Sequence, residues 1–455
     1  MTEIEIRKEK ITELLEARRY AELTEIMGEI PAVDLAEMLP EIPSEFQVRL
    51  FRLLHKDTAS ELFIHMDSEL QERIIGAFSD REVSEMLSEL YLDDTVDVIE
   101  EMPAHIVKKI LRNSSPEDRS RINELLGYPR DSAGTIMTPE YVRLVEYMTV
   151  EAALLHLRRV AIDKETIYTC YVTDSQRRLI GIVTAKDLLI SSPETKISDI
   201  MERSVIYAYT TDGREEVARK IEKYGFLALP VVDNEKRLVG IVTVDDAIEV
   251  LGQETEEDIA KMAAITPTET PYLRSSAFSI FKSRIPWLLL LMISATLSST
   301  ILASFEARLA TVLVLFVPML MDTGGNSGNQ ASVTLVRGLS LGEIKRSDFL
   351  LVWLKEIRVG FFCAITLGAV AFFKIMLVDR LIMNNPEVTL SVGVVVAVTL
   401  ALTVIIAKLV GASLPIIASG IGLDPAVMAS PFITTAVDAI SLIVYFLIAY
   451  PFFSV

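Results

Sequence analysis

The chain has 455 residues, enough for several domains of ordinary size, and its formal net charge at pH 7 is −19. Residues 1–273 hold 54 acidic and 32 basic side chains, whereas the remainder holds nine acidic and twelve basic ones. The acidic first part argues against nucleic acid as a partner, because phosphates would be repelled. It suits cation binding, or simply a solvated, self-repelling surface.

A short motif recurs every 24 residues within residues 1–130, which we predict to form an all-α superhelical cytoplasmic domain. The copies are Ala36–Leu39 (AEML), Ser60–Phe63 (SELF) and Ser84–Leu87 (SEML). Helix-pair repeats of this length stack into a curved solenoid, each unit burying its apolar face on the next. A protein-interaction scaffold is the alternative use of such a domain. The first 30 residues contain no continuous apolar stretch, so we expect no secretory signal.

A longer repeat lies in residues 131–250. The stretch Arg178–Thr184 (RLIGIVT) returns about 60 residues later as Arg237–Thr243 (RLVGIVT). Each copy predicts a strand, a polar turn, a second strand and a helix. The pattern resembles a tandem pair of CBS (cystathionine-β-synthase-type) modules. That resemblance implies an α/β fold, dimerisation and a regulatory ligand that is often an adenine nucleotide such as ATP.

In CBS modules, the threonine and the aspartate that end this run commonly hold a ribose. The resemblance therefore makes Thr184, Asp187, Thr243 and Asp246 candidate nucleotide ligands. The same residue types also cap helices well, and the sequence leaves a capping role alone equally open.

Residues 251–273 form an acidic connecting helix, and residues 274–455 are predicted to be an all-α transmembrane domain with five spans. Runs with few or no charges cover residues 285–303, 309–336, 359–378, 388–407 and 426–455, each long enough to cross a lipid bilayer. Lysine and arginine gather before the first run and between the second and third. Because cytoplasmic loops are rich in these residues, we expect a multi-pass cell (plasma) membrane protein with its N-terminus and soluble domains in the cytoplasm and its C-terminus outside.

Asp438 is the single charge in the fifth run. A carboxylate near the middle of an apolar span costs roughly 2.5–3.5 kcal/mol on insertion scales, so it persists beside a partner, a cavity or an ion. Thr434 and Thr435 lie one turn earlier and offer further oxygens. The alternative is an ion pair with a base of a neighbouring helix, for which Lys374 is the one base inside a predicted span.

The second run contains the glycine-rich stretch Gly324–Gln330 (GGNSGNQ). Such a stretch would break a helix exposed to lipid, but it is tolerated beside protein or a water-filled cavity. The amide oxygens of Asn326 and Asn329 suit a hydrated cation. Close helix packing through small residues is the alternative.

Three membrane motifs, 318–330, 422–425 (GLDP) and 434–438 (TTAVD), resemble those of the MgtE family of magnesium channels. The order of domains resembles that family over the whole chain. The resemblance implies a Mg²⁺-selective channel for magnesium uptake rather than an enzyme, built as a homodimer around one pore. It implies that Asp438 holds a hydrated Mg²⁺, that Asn329 lines the pore and that Asp424 contacts regulatory metal.

The resemblance further implies that cytosolic Mg²⁺ closes the channel by bridging acids of the cytoplasmic domains. The matching acids are Asp93, Asp97, Glu215, Asp246, Glu249, Glu254, Glu257 and Asp258. Gly213 and Gly225 stand where some relatives have acids, which leaves the number of regulatory sites open.

Three other functions stay open on the residues. The first is an ion-coupled divalent-cation carrier or a broad Mg/Mn/Co transporter. The second is an intramembrane aspartyl protease that would use Asp322 and Asp438, although neither lies in a Gly-x-Gly-Asp context. The third is a nucleotide sensor that is merely anchored to the membrane.

Overall fold

The computed structural model describes residues 3–268, 272, 275–306, 311–428 and 430–453. The chain divides into two compact units, Met1–Gly252 and Gln253–Val455.

The first unit begins with ten short helices. They are α1 (Glu3–Glu16), α2 (Tyr20–Gly28), α3 (Ala32–Met38), α4 (Ser44–Phe51), α5 (Lys56–Ile64), α6 (Ser68–Ala77), α7 (Asp80–Leu87), α8 (Leu92–Glu101), α9 (Ala104–Asn113) and α10 (Pro116–Leu125). The three copies of the short motif fall on α3, α5 and α7, and these helices stack in that order. Each copy buries an apolar side chain, such as Leu62 and Phe63 in α5. The predicted helical repeat is therefore confirmed.

The rest of this unit is a pair of α/β modules. The first contains β1 (Arg143–Val145), α11 (Val150–Val160), β2 (Thr169–Thr173), β3 (Leu179–Thr184) and α12 (Ala185–Ile190). After α13 (Ile197–Ile200), the second contains β4 (Ala208–Tyr209), α14 (Arg214–Tyr224), β5 (Ala228–Val232), β6 (Leu238–Thr243) and the start of α15 (Val244–Met262).

The two sheets have the same topology, which confirms the tandem repeat. In each sheet the first strand pairs parallel with the second, and the second pairs antiparallel with the third. Even the irregularity is repeated, since the register shifts between Val172 and Thr173 in one sheet and between Val231 and Val232 in the other.

The segment that precedes each module packs on the sheet of the other module. In both cases a methionine of the segment contacts a glycine of that sheet. A Cβ on Gly240 would lie 2.7 Å from the Met137 sulfur, and a Cβ on Gly181 would lie 2.7 Å from the Met201 sulfur. Thr138 and Ile241 exchange two backbone hydrogen bonds of 2.8 and 2.9 Å beside the first contact. Each glycine of the GIVT run thus makes room for the methionine of an Ile-Met pair.

A single helix, α15, occupies the place where we expected a last CBS helix followed by a separate connecting helix. It runs without a break from Val244 to Met262. The predicted connector 251–273 is therefore helical only over its first part, and part of its second half lies outside the described residues.

The second unit is helical. It contains the end of α15, then α16 (Ala277–Glu306), α17 (Thr311–Val314), α18 (Val317–Ser340), α19 (Phe349–Lys374), α20 (Leu390–Gly420) and α21 (Ser430–Phe453). A π-helical segment, Ile375–Ile382, extends α19. Within the described residues, four stretches are long and apolar enough to cross a membrane: Ala277–Ser304, Arg346–Ile382, Leu390–Gly420 and Phe432–Phe453.

The second predicted span differs most from the structure. Its helix α18 begins at Val317 rather than near residue 309, and its 24 residues are long enough to cross a bilayer but too polar to count among the four apolar stretches. The glycine-rich stretch does not interrupt this helix. The closely packed alternative explains why, because Gly324, Gly325 and Gly328 are buried against neighbouring helices.

The glycines of α18 allow very close helix contacts. A Cβ on Gly324 would lie 2.8 Å from Thr403 of α20 and 3.0 Å from the Ser441 hydroxyl of α21. A Cβ on Gly328 would lie 2.9 Å from Ile433 of α21. Helix α18 is therefore held between α20 and α21 on this side.

The surroundings of two lysines in the second unit differ from the sequence-based prediction. Lys374 pairs with Asp379 at 2.8 Å, five residues later in the π-helical segment, and not with Asp438. Lys408 lies just past the fourth predicted run but inside α20, and its side chain is only 4% exposed.

Candidate pore and metal sites

The acidic residue of the fifth predicted span lies on α21, in the second unit. Asp438 is half-buried, and its Oδ1 has no hydrogen-bond partner among the described residues. Thr434, one turn earlier, lies against α18, because a Cβ on Gly325 would come 3.1 Å from its methyl group. The contact between Thr434 and the glycine-rich stretch of α18 thus fixes which part of α21 lies beside α18.

A polar stripe runs along α18. Asp322, Asn326 and Gln330 are four residues apart and exposed, and Asn329 is half-buried with a buried Oδ1 that has no hydrogen-bond partner among the described residues. Residues at this spacing share one helix face. The opposite face carries the buried glycines, so packing of the glycines turns the oxygen-bearing side chains away from the protomer's interior.

Asp322 was considered from sequence only as a protease residue, yet it belongs to this stripe. Its carboxyl group is exposed on the same face of α18 as Asn326 and Gln330, and carboxylate oxygens are ligands that Mg²⁺ prefers. The sequence signal was its position four residues before Asn326.

A second acidic group lies within the first unit, around the start of α8. Asp93 and Asp94 are both half-buried there, and the Oδ1 of Asp93 has no described hydrogen-bond partner. Burial, followed by the charges of Asp94 and Asp246, raises the pKa of Asp93 well above its ordinary value. Burial and the charges of Asp246 and Glu140 raise the pKa of Asp94 to about 7.

Two loops of the α/β modules and the start of α15 supply further acids. Together with the acids of α8 they form a group that we call the acidic cluster. Burial and neighbouring carboxylates raise the pKa of Glu165 to about 7, and its Oε2 is buried without a described partner. Glu140 accepts a hydrogen bond of 2.7 Å from Thr138. The members of the acidic cluster are Asp93, Asp94, Asp97, Glu140, Glu165, Asp245, Asp246 and Glu249.

Asp97 and Glu249 stand at the edge of the acidic cluster, and both are exposed residues. Even so, loss of solvent around its carboxyl group, with the charges of Asp94, Asp246 and Glu249, raises the pKa of Asp97 to about 8. Burial also raises the pKa of Asp246, although Thr243 donates a hydrogen bond of 2.5 Å to it.

The donor chemistry of the acidic cluster fits a hard divalent cation. Carboxylate oxygens are the ligands that Mg²⁺ prefers, and two of them here, on Asp93 and Glu165, are buried with no partner in the described part of the chain. In the part of the chain that the structure describes, no three acidic, histidine or cysteine side chains are already close enough to hold a metal ion. Metal binding therefore requires these side chains to move closer together.

The remaining candidate acids lie elsewhere. Glu215 pairs with Arg219 one turn later, at 2.6 Å. Glu254, Glu257 and Asp258 lie on the last part of α15, in the second unit. Four members of the acidic cluster are not among the sequence-based candidates: Asp94, Glu140, Glu165 and Asp245. Asp94 and Asp245 carried a visible signal, since each adjoins a candidate, whereas Glu140 and Glu165 did not.

The nucleotide candidates are arranged as helix caps. Thr184 donates 2.5 Å to Asp187 and accepts 3.1 Å from the Asp187 backbone N–H, which forms a reciprocal capping box at the start of α12. Thr243 makes the same side-chain bond to Asp246. The cap is therefore complete in the first module, and the second module has the matching bond between the threonine and aspartate side chains.

Comparisons with known proteins agree with this architecture. The MgtE family of divalent cation transporters matches residues 317–448, the MgtE intracellular N domain matches residues 30–131, and CBS domains match residues 133–194 and 197–253. A protein named magnesium transporter MgtE from Thermus thermophilus is 37% identical, with 94% of each chain covered.

The chain belongs to the MgtE family. A Bacillus subtilis protein of the same name is 33% identical over 97% of this chain and 96% of its own. The family resemblance of the sequence is therefore confirmed, and the related proteins are named as transporters.

Two solved structures resemble the first half of this MgtE-family chain. One is the cytosolic domain of the Mg²⁺ channel MgtE in complex with ATP, 38% identical, covering 53% of this chain and 99% of that one, with a TM-score of 0.51. The other is the soluble part of a magnesium transporter, 31% identical, covering 55% and 99%, with a TM-score of 0.52.

Proposed function

We propose that this protein is a Mg²⁺-selective channel that mediates magnesium uptake across the cell membrane. The observation that carries the proposal is the exposed polar stripe of Asp322, Asn326 and Gln330 on α18, with Asn329 half-buried next to it and the carboxyl group of Asp438 on α21, the helix packed on α18. Polar side chains at membrane depth are unstable against lipid. They must therefore face a water-filled path or another copy of the chain.

A homodimer satisfies both requirements. One chain offers a single Asp438, and two copies related by a two-fold axis would place two Asp438 carboxylates, two Asp322 carboxylates and four asparagine amide groups around one path. Mg²⁺ keeps most of its waters and binds through one or two carboxylates, so such a ring would select the hydrated ion. Five membrane-crossing helices, with α18 as the polar one, would put the N-terminus in the cytoplasm and the C-terminus outside.

Cytosolic Mg²⁺ closes this channel in our proposal. The acidic cluster holds several carboxylates that repel one another, which favours an open arrangement when metal is scarce. Bound Mg²⁺ supplies the positive charge that draws these side chains together. Such an ion shifts the equilibrium only by its difference in affinity for the two arrangements.

ATP is proposed as a second regulatory ligand of the module pair. The similar cytosolic domain that carries ATP in its solved structure supports this assignment. Thr243 and Asp246 are the residues we expect at the ribose. Asp246 also belongs to the acidic cluster, so nucleotide and metal should influence each other's binding.

Magnesium flux into liposomes tests the pore. Asp438→Asn should lower uptake by the full chain at least tenfold, because it removes the charge while keeping the side-chain shape. Glu387→Gln, an exposed acid outside the spans, is the matched control and should transport normally. Undiminished uptake by Asp438→Asn, with intact assembly by size-exclusion chromatography, would contradict the pore assignment.

Assembly and transport type need separate measurements. Asn326→Cys on the polar stripe should crosslink one protomer to another, and an active monomer would contradict the dimer. Currents at fixed voltage should exceed what a carrier can pass. A current that requires a co-transported ion would favour the ion-coupled carrier instead.

A further inference from the structure

The last part of α15, residues 253–262, is called here the linker segment. Its single lysine joins two acids that the family resemblance assigns to metal binding. The ammonium of Lys261 lies 2.6 Å from Oε1 of Glu257 and 2.6 Å from Oδ2 of Asp424. Glu257 precedes Lys261 by one helical turn, the order that favours an ion pair within a helix. Asp424 lies 163 residues away, in the turn between α20 and α21.

Both oxygens of Asp424 are already engaged. Its Oδ2 accepts from Lys261, and its Oδ1 accepts from the backbone N–H of Ala426 at 2.8 Å. Partial burial lowers the pKa of Lys261, but hydrogen bonds and charges of Asp424 and Glu257 outweigh it, so that pKa stands above its ordinary value. Lys261 is therefore charged throughout the physiological pH range.

Two other contacts hold the linker segment to the same place. The hydroxyl of Ser340, at the end of α18, donates to Asp258 at 3.1 Å. Met262 packs on Val336 of α18 and on Ala426. Apolar packing, a hydrogen bond and an ion pair thus fix the end of α15 to α18 and to the turn before α21.

We propose that the Lys261 ammonium occupies the position of a regulatory Mg²⁺ between Glu257 and Asp424, so that the linker segment stays docked without metal. This assignment differs from the metal-contacting role that family resemblance implies for Asp424. Its meaning for gating rests on the proposed channel function, but the docking itself does not. Mg²⁺ sensing would then fall to the acidic cluster of the first unit.

Removal of the lysine should change how docking of the linker segment depends on Mg²⁺. Without its ammonium, Glu257 and Asp424 are left as two close carboxylates, a pair that repels unless a cation lies between them. Docking of the linker segment is therefore Mg²⁺-independent in the parent protein, and it becomes Mg²⁺-dependent in Lys261→Met.

Crosslinking of the full chain in detergent can measure docking directly. Met262→Cys and Val336→Cys place thiols on the two sides of the apolar contact, in a Cys363→Ala background. Cys170 can remain, because burial raises the pKa of its thiol to about 12 and leaves it unreactive. A short bifunctional maleimide then reports the docked fraction in chelator and in excess Mg²⁺.

In chelator, we expect Lys261→Met to slow crosslinking about tenfold relative to the parent, which corresponds to ~1.4 kcal/mol. Excess Mg²⁺ should restore it, but not in Lys261→Met combined with Asp424→Asn. Lys261→Arg should behave like the parent, and the exposed Lys355→Met is the control. Exchanging the charges, Lys261→Asp with Asp424→Lys, should recover metal-independent crosslinking.

Parent crosslinking that itself requires Mg²⁺, or that Lys261→Met leaves unchanged, would overturn the proposal. If Lys261→Met does not fold, Asp424→Asn alone must slow crosslinking in chelator for the proposal to stand. None of these readouts uses transport. A protein that fails to conduct Mg²⁺ would thus refute the proposed channel while leaving the crosslinking result interpretable.

Discussion

Gly411 of α20 faces the backbone of Gly328 of α18 so closely that a Cβ on Gly411 would lie 2.8 Å from the Gly328 carbonyl carbon. Backbone cannot move aside as a side-chain end can, so a methyl group here must separate the two helices. The same α18 segment carries the polar stripe on its other face. The Gly411–Gly328 contact therefore determines where the candidate pore residues lie.

Gly411→Ala should lower the unfolding free energy of the second unit by about 3 kcal/mol or more. Overpacking commonly costs about 1–3 kcal/mol, and here the added methyl group clashes with backbone. Thermal unfolding of the purified protein in detergent measures the loss. Gly420→Ala, on the same helix with no atom within 4 Å of the added methyl group, should unfold like the parent. Equal stability of the two variants would contradict the close packing described here.

Metal-free stability of the first unit should fall as pH rises. A carboxyl group whose pKa is higher in the folded than in the unfolded state contributes nothing below its unfolded pKa and destabilises the fold once it ionises. For Asp94 and Glu165 this window runs from about 4 to about 7. A fragment of residues 1–252 in chelator should lose about 1–3 kcal/mol across it, seen as a lower melting temperature. A melting temperature that rises between pH 5 and pH 8 would contradict the acidic cluster.

Neutralising one member of the acidic cluster should stabilise the same fragment without metal. Glu165→Gln removes a charge that is buried without a described partner, so its melting temperature in chelator should rise by a few degrees. The gain on adding Mg²⁺ should shrink, because one oxygen donor is weaker. Asp57→Asn, an exposed acid in α5, is the control and should change neither value. A larger Mg²⁺-induced gain in Glu165→Gln would argue against a metal role.

The threonines that end the two GIVT runs, Thr184 and Thr243, allow nucleotide binding to be separated from a structural role, because each donates to an aspartate three residues later. Thr184→Ala and Thr243→Ala should each cost about 1 kcal/mol, the usual loss for a cap. If Thr243 and Asp246 hold the ribose, Thr243→Ala should also abolish the heat of ATP binding in calorimetry. ATP binding that survives in Thr243→Ala would leave this residue as a cap only.

The periodic features of the fold could be predicted from sequence. Every copy of the short motif and both GIVT runs are local patterns that repeat, and each repeat packs in the same way on its neighbour. Asp438 was visible because a charge inside an apolar run is conspicuous. The polar stripe was visible in part, since Asn326 and Asn329 lie on one face with Asp322.

The contacts between distant residues could not be predicted in this way. Glu140 and Glu165 reach the acidic cluster from two different loops, and neither loop has a period that would reveal it. Lys261 and Asp424 meet only because α15 ends beside the turn before α21. The unbroken helix through Gly324 and Gly328 was also hidden, because it depends on which neighbouring helices bury the glycines.

The methionine–glycine contacts of the module pair bear on how this part of the chain folds. Met137 comes before the first sheet in sequence, yet it fills the space above Gly240 in the second sheet. Gly240 lies in β6, the last strand of the pair to be synthesised. The contact therefore cannot form until more than a hundred residues have followed Met137. Folding of the pair should therefore be a single cooperative event, and a nascent chain that holds only the first module should remain sensitive to proteases.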